Sequence, residues 1–327
     1  MTHELVLIVA LALLFDFLNG IHDSSNIVAT MISSRAFRPQ VALVMTALAE
    51  FLGPFLFGVA VARTIGDDVA EAAALTLDVV LAALLASIIW NLLTWFLGIP
   101  SSSSHALIGS LVGAVGVGAG LGVIKVNGLE KVLIALFFSP LVGFVVGFLL
   151  LRTIFFLARN ASPRINEFFK RSQIITALGM AFSHGTNDAQ KTMGVITLSL
   201  VVGGVIPAFH VPRWVVAASA GSIALGTALG GWRLIRTLGG RFYKIRPVHS
   251  FATQLSSGLV ILAASLVGGP VSTTQVVSSA IIGVGSAERW SKVRWSVAGD
   301  ILTAWFVTLP VTAVISAGLY LLIGLLR

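Results

Sequence analysis

The sequence predicts an all-α integral membrane protein made of two inverted-topology repeats with interrupted helices or re-entrant hairpins. Three observations predict it: apolar runs recur along the whole chain, charge is scarce and unevenly placed, and four motifs return in order at nearly constant spacing. Hydrophobic residues make up 57% of the 327 residues and charged ones 10%, with a mean hydropathy of +0.98. A soluble domain carries about 25% charge. Apolar runs cover 5–18, 41–62, 72–97, 105–124, 132–151, 192–209, 214–232, 251–268, 275–285 and 301–326. They approach the ~20 residues that cross a bilayer core. The first lacks a basic leader and a small-residue cleavage site before Asp16, so it reads as a retained helix and not as a signal peptide. Cysteine is absent, which excludes a disulfide framework and thiolate metal sites.

The formal charge of +8 lies in loops, so it reports topology and not nucleic-acid binding. With the N-terminus outside and an odd number of crossings per half, fifteen basic residues fall inside, among them Arg38, Arg152, Arg159, Lys170, Arg246 and Lys292. Five fall outside, namely Arg63, Lys125, Lys131, Arg213 and Arg327, alongside Asp67, Asp68 and Glu71. The expectation is a multi-pass protein of the cell membrane (plasma or inner) with both termini extracytoplasmic. Parity leaves open whether 73–124 crosses twice or dips in and returns.

The repeat is read from four pairs. "NGIHDSSN" (19–26) returns within "SHGTNDAQK" (183–191), and "RTIG" (63–66) as "RTLG" (236–239). "GIPSSSSH" (98–105) returns as "GGPVSTTQ" (268–275), and Pro140 matches Pro310. The halves are assigned to 1–160 and 173–327, joined by a basic cytoplasmic linker at 161–172. Inverted repeats are common in secondary transporters, whose sites lie near the bilayer midplane on interrupted helices.

The polar residues follow this register. Asp16, Asn19, Asp23 and Asn26 share one helical face, and Gly20 beside them suits a local break. Ionised carboxylates in hydrocarbon are costly and generally face a bundle interior or an aqueous path. A polar stripe that only glues helices together explains Asp16, whose partner position is Ala181, as well as a site does. It explains Asp23 less well, because Asp188 repeats it. Asn187 then aligns with His22, His184 with Asn19, and Lys191 with Asn26. Asp and Asn oxygens suit a hard monovalent cation, with sodium a candidate at Asp23, Asn26 and Asp188. Lys191 would replace a cation, neutralise Asp188 or attract an anion.

Ser101, Ser102, Ser103 and Ser104, with Ser272, Thr273 and Thr274, place hydroxyls after a proline and before an apolar run. Such residues cap helices, and a helix N-terminus exposes N–H groups and positive dipole to an oxyanion. Ordinary capping is the plainer reading of one tip; two tips in register favour a site. Glu50, aligned with Ile223, suits a proton-linked role or a structural hydrogen bond. His105, Gln275 and Gln190 are further polar candidates. The glycine ladder at 109–122 reads as close helix packing, and Trp90, Trp95, Trp290 and Trp295 read as interface anchors. An intramembrane hydrolase using Ser104 and His105 is disfavoured, since neighbours on a helix point about 100° apart.

With these residues in place, "NGIHDSSN", "HGTNDAQKTMGVI" (184–196) and the "PSSSSH"/"PVSTTQ" pair closely resemble the duplicated signatures of the inorganic phosphate transporter (PiT) family, over essentially the whole chain. The resemblance implies a symporter of inorganic phosphate with no cofactor and with Na+ or H+ as coupling ion. It implies cation and phosphate roles for Asp23, Asn26, Asn187 and Asp188, and anion contacts for Ser102, Ser103, Ser104, Ser272, Thr273 and Thr274. The first signature departs from the usual Asn-Asp, having His22-Asp23, and the chain lacks a long central hydrophilic insertion, as a short prokaryotic form would. Sulfate or another oxyanion on the same fold is the alternative cargo. Glycine-rich faces permit a homodimer without requiring one.

Overall fold

The computed structural model describes residues 2–34, 36–71, 74–231, 235 and 243–326. Arg35, Arg233, Arg236, Arg241, Arg327 and the "RTLG" copy lie outside the described residues. The helices among them are α1 (His3–Ser33), α2 (Pro39–Phe57), α3 (Ala60–Arg63), α4 (Leu77–Leu97), α5 (Ser103–Gly118) and α6 (Val126–Leu157), then α7 (Ile165–Val202), α8 (Arg213–Leu229), α9 (Pro247–Leu266), α10 (Thr273–Glu288) and α11 (Trp295–Leu326). The order long, short, paired, long recurs, so α1, α2, α4, α5 and α6 correspond to α7, α8, α9, α10 and α11. The basic segment at 161–172 is only partly a linker: α7 begins at Ile165, just after the Ser162-Pro163 turn.

Glycines show how the halves interlock. A Cβ on Gly20 would strike the Ile223 carbonyl, and one on Gly185 would strike that of Glu50. Likewise Gly226 rests on the Phe17 carbonyl and Gly53 on that of Phe182. Each contact maps onto the other through the register read from sequence, Gly20 to Gly185 and Ile223 to Glu50. Small residues at these crossings let backbones close in, as helices in lipid require. Packing is therefore exchanged between halves: α1 lies along α8 and α2 along α7, while α5 lies along α11 and α10 along α6. The glycine ladder does what its composition suggests, with Gly109 and Gly113 against the backbone of Leu309 and Ala313.

Two expectations need correcting. Gly20 marks no break, because α1 runs unbroken for 31 residues; the missing side chain is used for contact with α8. Trp90 is only 8% exposed, and so is a core residue and not an interface anchor; Trp95, Trp290 and Trp295 remain at the surface.

The segment 73–124 is closed at its ends. α4 and α5 form a hairpin whose base closes through an antiparallel bridge between Ala70 and Ile124, with Val79 against Gly118. Although α4 has the length and apolarity to cross a membrane, the chain turns back at 98–102. Gly98, at φ 70°, ends α4 in the left-handed conformation before Pro100 is reached. The base shares a core with Leu5 and Ile8 at the start of α1. The α9–α10 hairpin is based at the other end of α1. There Ser34 donates to Gln173 (2.9 Å), Gln173 donates to the Pro247 carbonyl (3.3 Å), and His249 Nε2 lies 2.9 Å from Glu288 Oε2. The two tips meet in the middle, where the Ser104 hydroxyl donates to the Val271 carbonyl (2.9 Å).

Candidate cation and anion site

Four elements converge at that meeting point: the middles of α1 and α7, and the N-termini of α5 and α10. The N-termini exist because a serine caps each. Ser102 accepts from the His105 N–H (3.1 Å) and Ser272 from that of Gln275 (3.3 Å). The amides of Ser103, Ser104, Thr273 and Thr274 lie in the first turn, ahead of the regular i→i−4 ladder, which leaves them as donors at positive helix ends.

The second tip holds the two repeated acids. Thr274 donates to Asp23 Oδ1 (2.8 Å), and Thr273 to Asp188 Oδ2 (3.1 Å). Asn26 donates to the same Asp23 oxygen (2.8 Å) and reaches Thr274 Oγ1 (3.0 Å). Asn19 donates to Asp188 Oδ2 (3.2 Å), and Lys191 Nζ pairs with Asp188 Oδ1 at 2.8 Å. Of the three roles open to Lys191, this pairing is the geometry that neutralisation of Asp188 requires. Asn187 ties the second tip to α7 through Ser265 (2.9 Å) and the Gly269 carbonyl (3.2 Å).

His184 lies between the acids. Its Nε2 is 3.5 Å from Asp188 Oδ2 and 3.7 Å from Asp23 Oδ2, and its Nδ1 is 2.7 Å from Glu50 Oε1. One ligand atom each from Asp23, His184 and Asp188 falls within 4.8 Å of the others. Sequence spacing alone gave no such trio, because its members come from two helices. His22 Nδ1 approaches Asp23 Oδ1 at 3.5 Å. His105 and Gln275, matched in the repeat, meet each other at 3.3 Å, with His105 Nδ1 also 2.8 Å from Ser102.

Two candidates turn elsewhere. Ser101 Oγ pairs with Thr94 of α4 at 3.1 Å. Gln190 accepts from the Val61 and Ala62 amides (2.8 and 3.1 Å) and donates to the Gly58 carbonyl (2.8 Å), thereby holding the break between α2 and α3. Conversely, Asn19 and His184 were not singled out as ligands, although the repeat register had aligned them with each other.

All these side chains are buried. Asp16, Asp23, Glu50 and Asp188 bring four carboxyl groups, against the ammonium of Lys191 and the imidazoles of His184 and His22. Asp23 Oδ2 and the side-chain carbonyl oxygens of Asn19, Asn26 and Asn187 have no hydrogen-bond partner among the described residues. Buried oxygens left unsatisfied are costly, and hard monovalent cations take such oxygens as ligands. The chemistry on offer is an oxygen-rich cation locus backed against two donor-rich helix ends.

The sequence profile described as "Phosphate transporter family" matches residues 19–162 and again 156–316, so the repeat is also one of family signature. A Bacillus subtilis protein, "Probable low-affinity inorganic phosphate transporter", is 42% identical over 98% of this chain and 97% of its own length. A Rhizobium meliloti protein with the same description is 44% identical over 97% and 95%. The solved structure titled "The sodium-dependent phosphate transporter" superposes with a TM-score of 0.90 over 100% of both chains, at 23% identity, and shows the fold. Profile and relatives cover nearly the whole chain, and the chain belongs to the phosphate transporter family.

Proposed function

We propose that the chain is a cation-coupled symporter that carries inorganic phosphate across the cell membrane, with two repeats inverted about the membrane plane and the termini outside. The relatives are described as inorganic phosphate transporters, and the hairpins entering from opposite ends of α1 support inversion. One observation carries the mechanism: the hydroxyls best placed to hold an anion, Thr273 and Thr274, donate instead to Asp188 and Asp23. Anion and carboxylates compete for the same protons. A cation on each carboxylate supplies an alternative partner, and the hydroxyls can turn to the anion. The cation also offsets repulsion between carboxylate and phosphate, which is severe in a low-dielectric interior. Coupling thus follows from the hydrogen-bond count.

Ser103, Ser104 and the first-turn amides of α5 and α10 complete the anion shell. A phosphate that keeps a proton near neutral pH can donate to a carboxylate, whereas sulfate cannot. A site built around such a bond rejects the analogue lacking it by a large factor.

Sodium is the ion that the unsatisfied oxygens fit, and the solved structure of the same fold is titled sodium-dependent. Proton coupling is a second reading, favoured by His184 standing between the acids with Glu50 on its far nitrogen. Labelled phosphate uptake into proteoliposomes, with sodium and proton gradients imposed separately, tests both. Concentrative uptake driven by either ion supports the symporter; equilibration without accumulation would make the protein a passive pore. Equal competition by sulfate would move the cargo to oxyanions at large.

A further inference from the structure

We propose that the cleft between α6 and α9 is a binding site for an anionic phospholipid, one acyl chain lying in the cleft and the headgroup on Lys131 and Lys125. Two adjoining cavities share Lys131. The deeper, about 750 Å³, is lined almost wholly by apolar side chains, including Phe138, Val142, Leu259 and Val267. The other, about 540 Å³, is lined by Asp68, Lys125, Val126, Asn127, Gly128 and Lys131, and so carries the charged groups that the first lacks apart from Lys131. An apolar trough opening into a basic crevice has the shape of an amphiphile. On α6 the trough runs from Lys131 to Val146, roughly 22 Å at the helical rise and more than half the ~30 Å hydrocarbon thickness. One leaflet's acyl chain fits that depth.

The crevice keeps positive charge to offer. Lys131 lies 4.0 Å from Asp68 and donates to Thr64 (3.2 Å), yet its side chain is 45% exposed; the exposed Lys125 donates to the Asp67 carbonyl (2.7 Å). Two ammonium groups against one carboxylate leave the crevice net positive.

The back wall of the trough is Gly269 and Val271, whose carbonyls accept from Asn187 and Ser104. An acyl chain would therefore press on the strand of backbone that joins the two tips.

Native mass spectrometry of the full-length protein, released from phosphatidylcholine nanodiscs with or without phosphatidylglycerol, tests this. The expected result is selective retention of phosphatidylglycerol, reduced about fivefold by Lys131→Gln, the factor for about 1 kcal/mol per basic side chain. Val142→Trp, which fills the trough, should abolish retention while the protein stays monodisperse; if it fails to fold, Ala263→Leu serves the same purpose. Retention of both lipids equally, or unchanged by the substitutions, would overturn the proposal. So would displacement of the adduct by excess inorganic phosphate, or a dimer lost on filling the trough, which would make it an interface between copies.

Discussion

The two hairpin tips occupy matching positions in the repeat and are capped alike, yet they use their hydroxyls differently. In the second tip, Thr273 and Thr274 donate to the paired acids. In the first, Ser104 donates to the Val271 carbonyl of the other tip. One tip holds charge; the other holds its partner. The frame around them is symmetric, with matched glycines on matched carbonyls, whereas the polar contents are not: Lys191 stands opposite Asn26, His184 opposite Asn19, and Glu50 opposite Ile223. A duplicated fold thus supplies the meeting point, and divergence within it supplies a charge gradient from one half to the other.

The largest expected effect comes from the acids. Asp23→Asn and Asp188→Asn should each abolish concentrative phosphate uptake in proteoliposomes, and unimpaired uptake by both would remove the acids from the mechanism. Next, the tips should differ. Hydrogen bonds to charged groups contribute about 1.5–3 kcal/mol and neutral ones about 0.5–1.5. In the anion-free protein, Thr274→Val should therefore lower thermal stability by about 1.5–3 kcal/mol and Ser104→Ala by about 0.5–1.5 kcal/mol. Equal losses would erase the distinction between tips. The frame, by contrast, should respond alike in both halves: Gly20→Val and Gly185→Val each force a side chain onto a carbonyl, costing about 1–3 kcal/mol, and thermal unfolding should show similar drops. A drop confined to one would break the structural symmetry. Smallest of all, Asn127→Cys and Ser162→Cys, both exposed in a chain without other cysteines, should leave uptake unchanged. An impermeant thiol reagent should label the first from outside the cell and the second only from the cytoplasm. Labelling of both from one side would contradict a membrane-crossing α6, and with it the odd number of crossings on which the inversion rests.

Much of this was legible in the sequence, and the limits have physical causes. The repeat register transferred almost intact, down to the pairing of Glu50 with Ile223, because backbone crossings preserve spacing. The course of 73–124 did not, since a hairpin that dips in and two crossings have the same parity; it took the fold to show its tip against the second tip, through Ser104 and Val271. Gly20 misled because a glycine serves a close helix crossing as readily as a break. Spacing placed Asp23 and Asn26 on one face correctly, but it could not fix what that face meets. For that reason the bond from Thr274, the centring of His184 and the pairing of Lys191 had to come from the fold. Gln190 and Ser101 sit among the candidate site residues in sequence, yet their rotation about the helix or loop turns them to α3 and α4.

Equilibrium binding of labelled phosphate to purified protein, with sodium replaced by choline across a series of pH values, bears most directly on the competition between anion and carboxylates for Thr273 and Thr274. Tight binding should require sodium or a lowered pH, and should vanish in choline at alkaline pH. Phosphate that bound equally well in choline throughout would show that the carboxylates do not gate those hydroxyls.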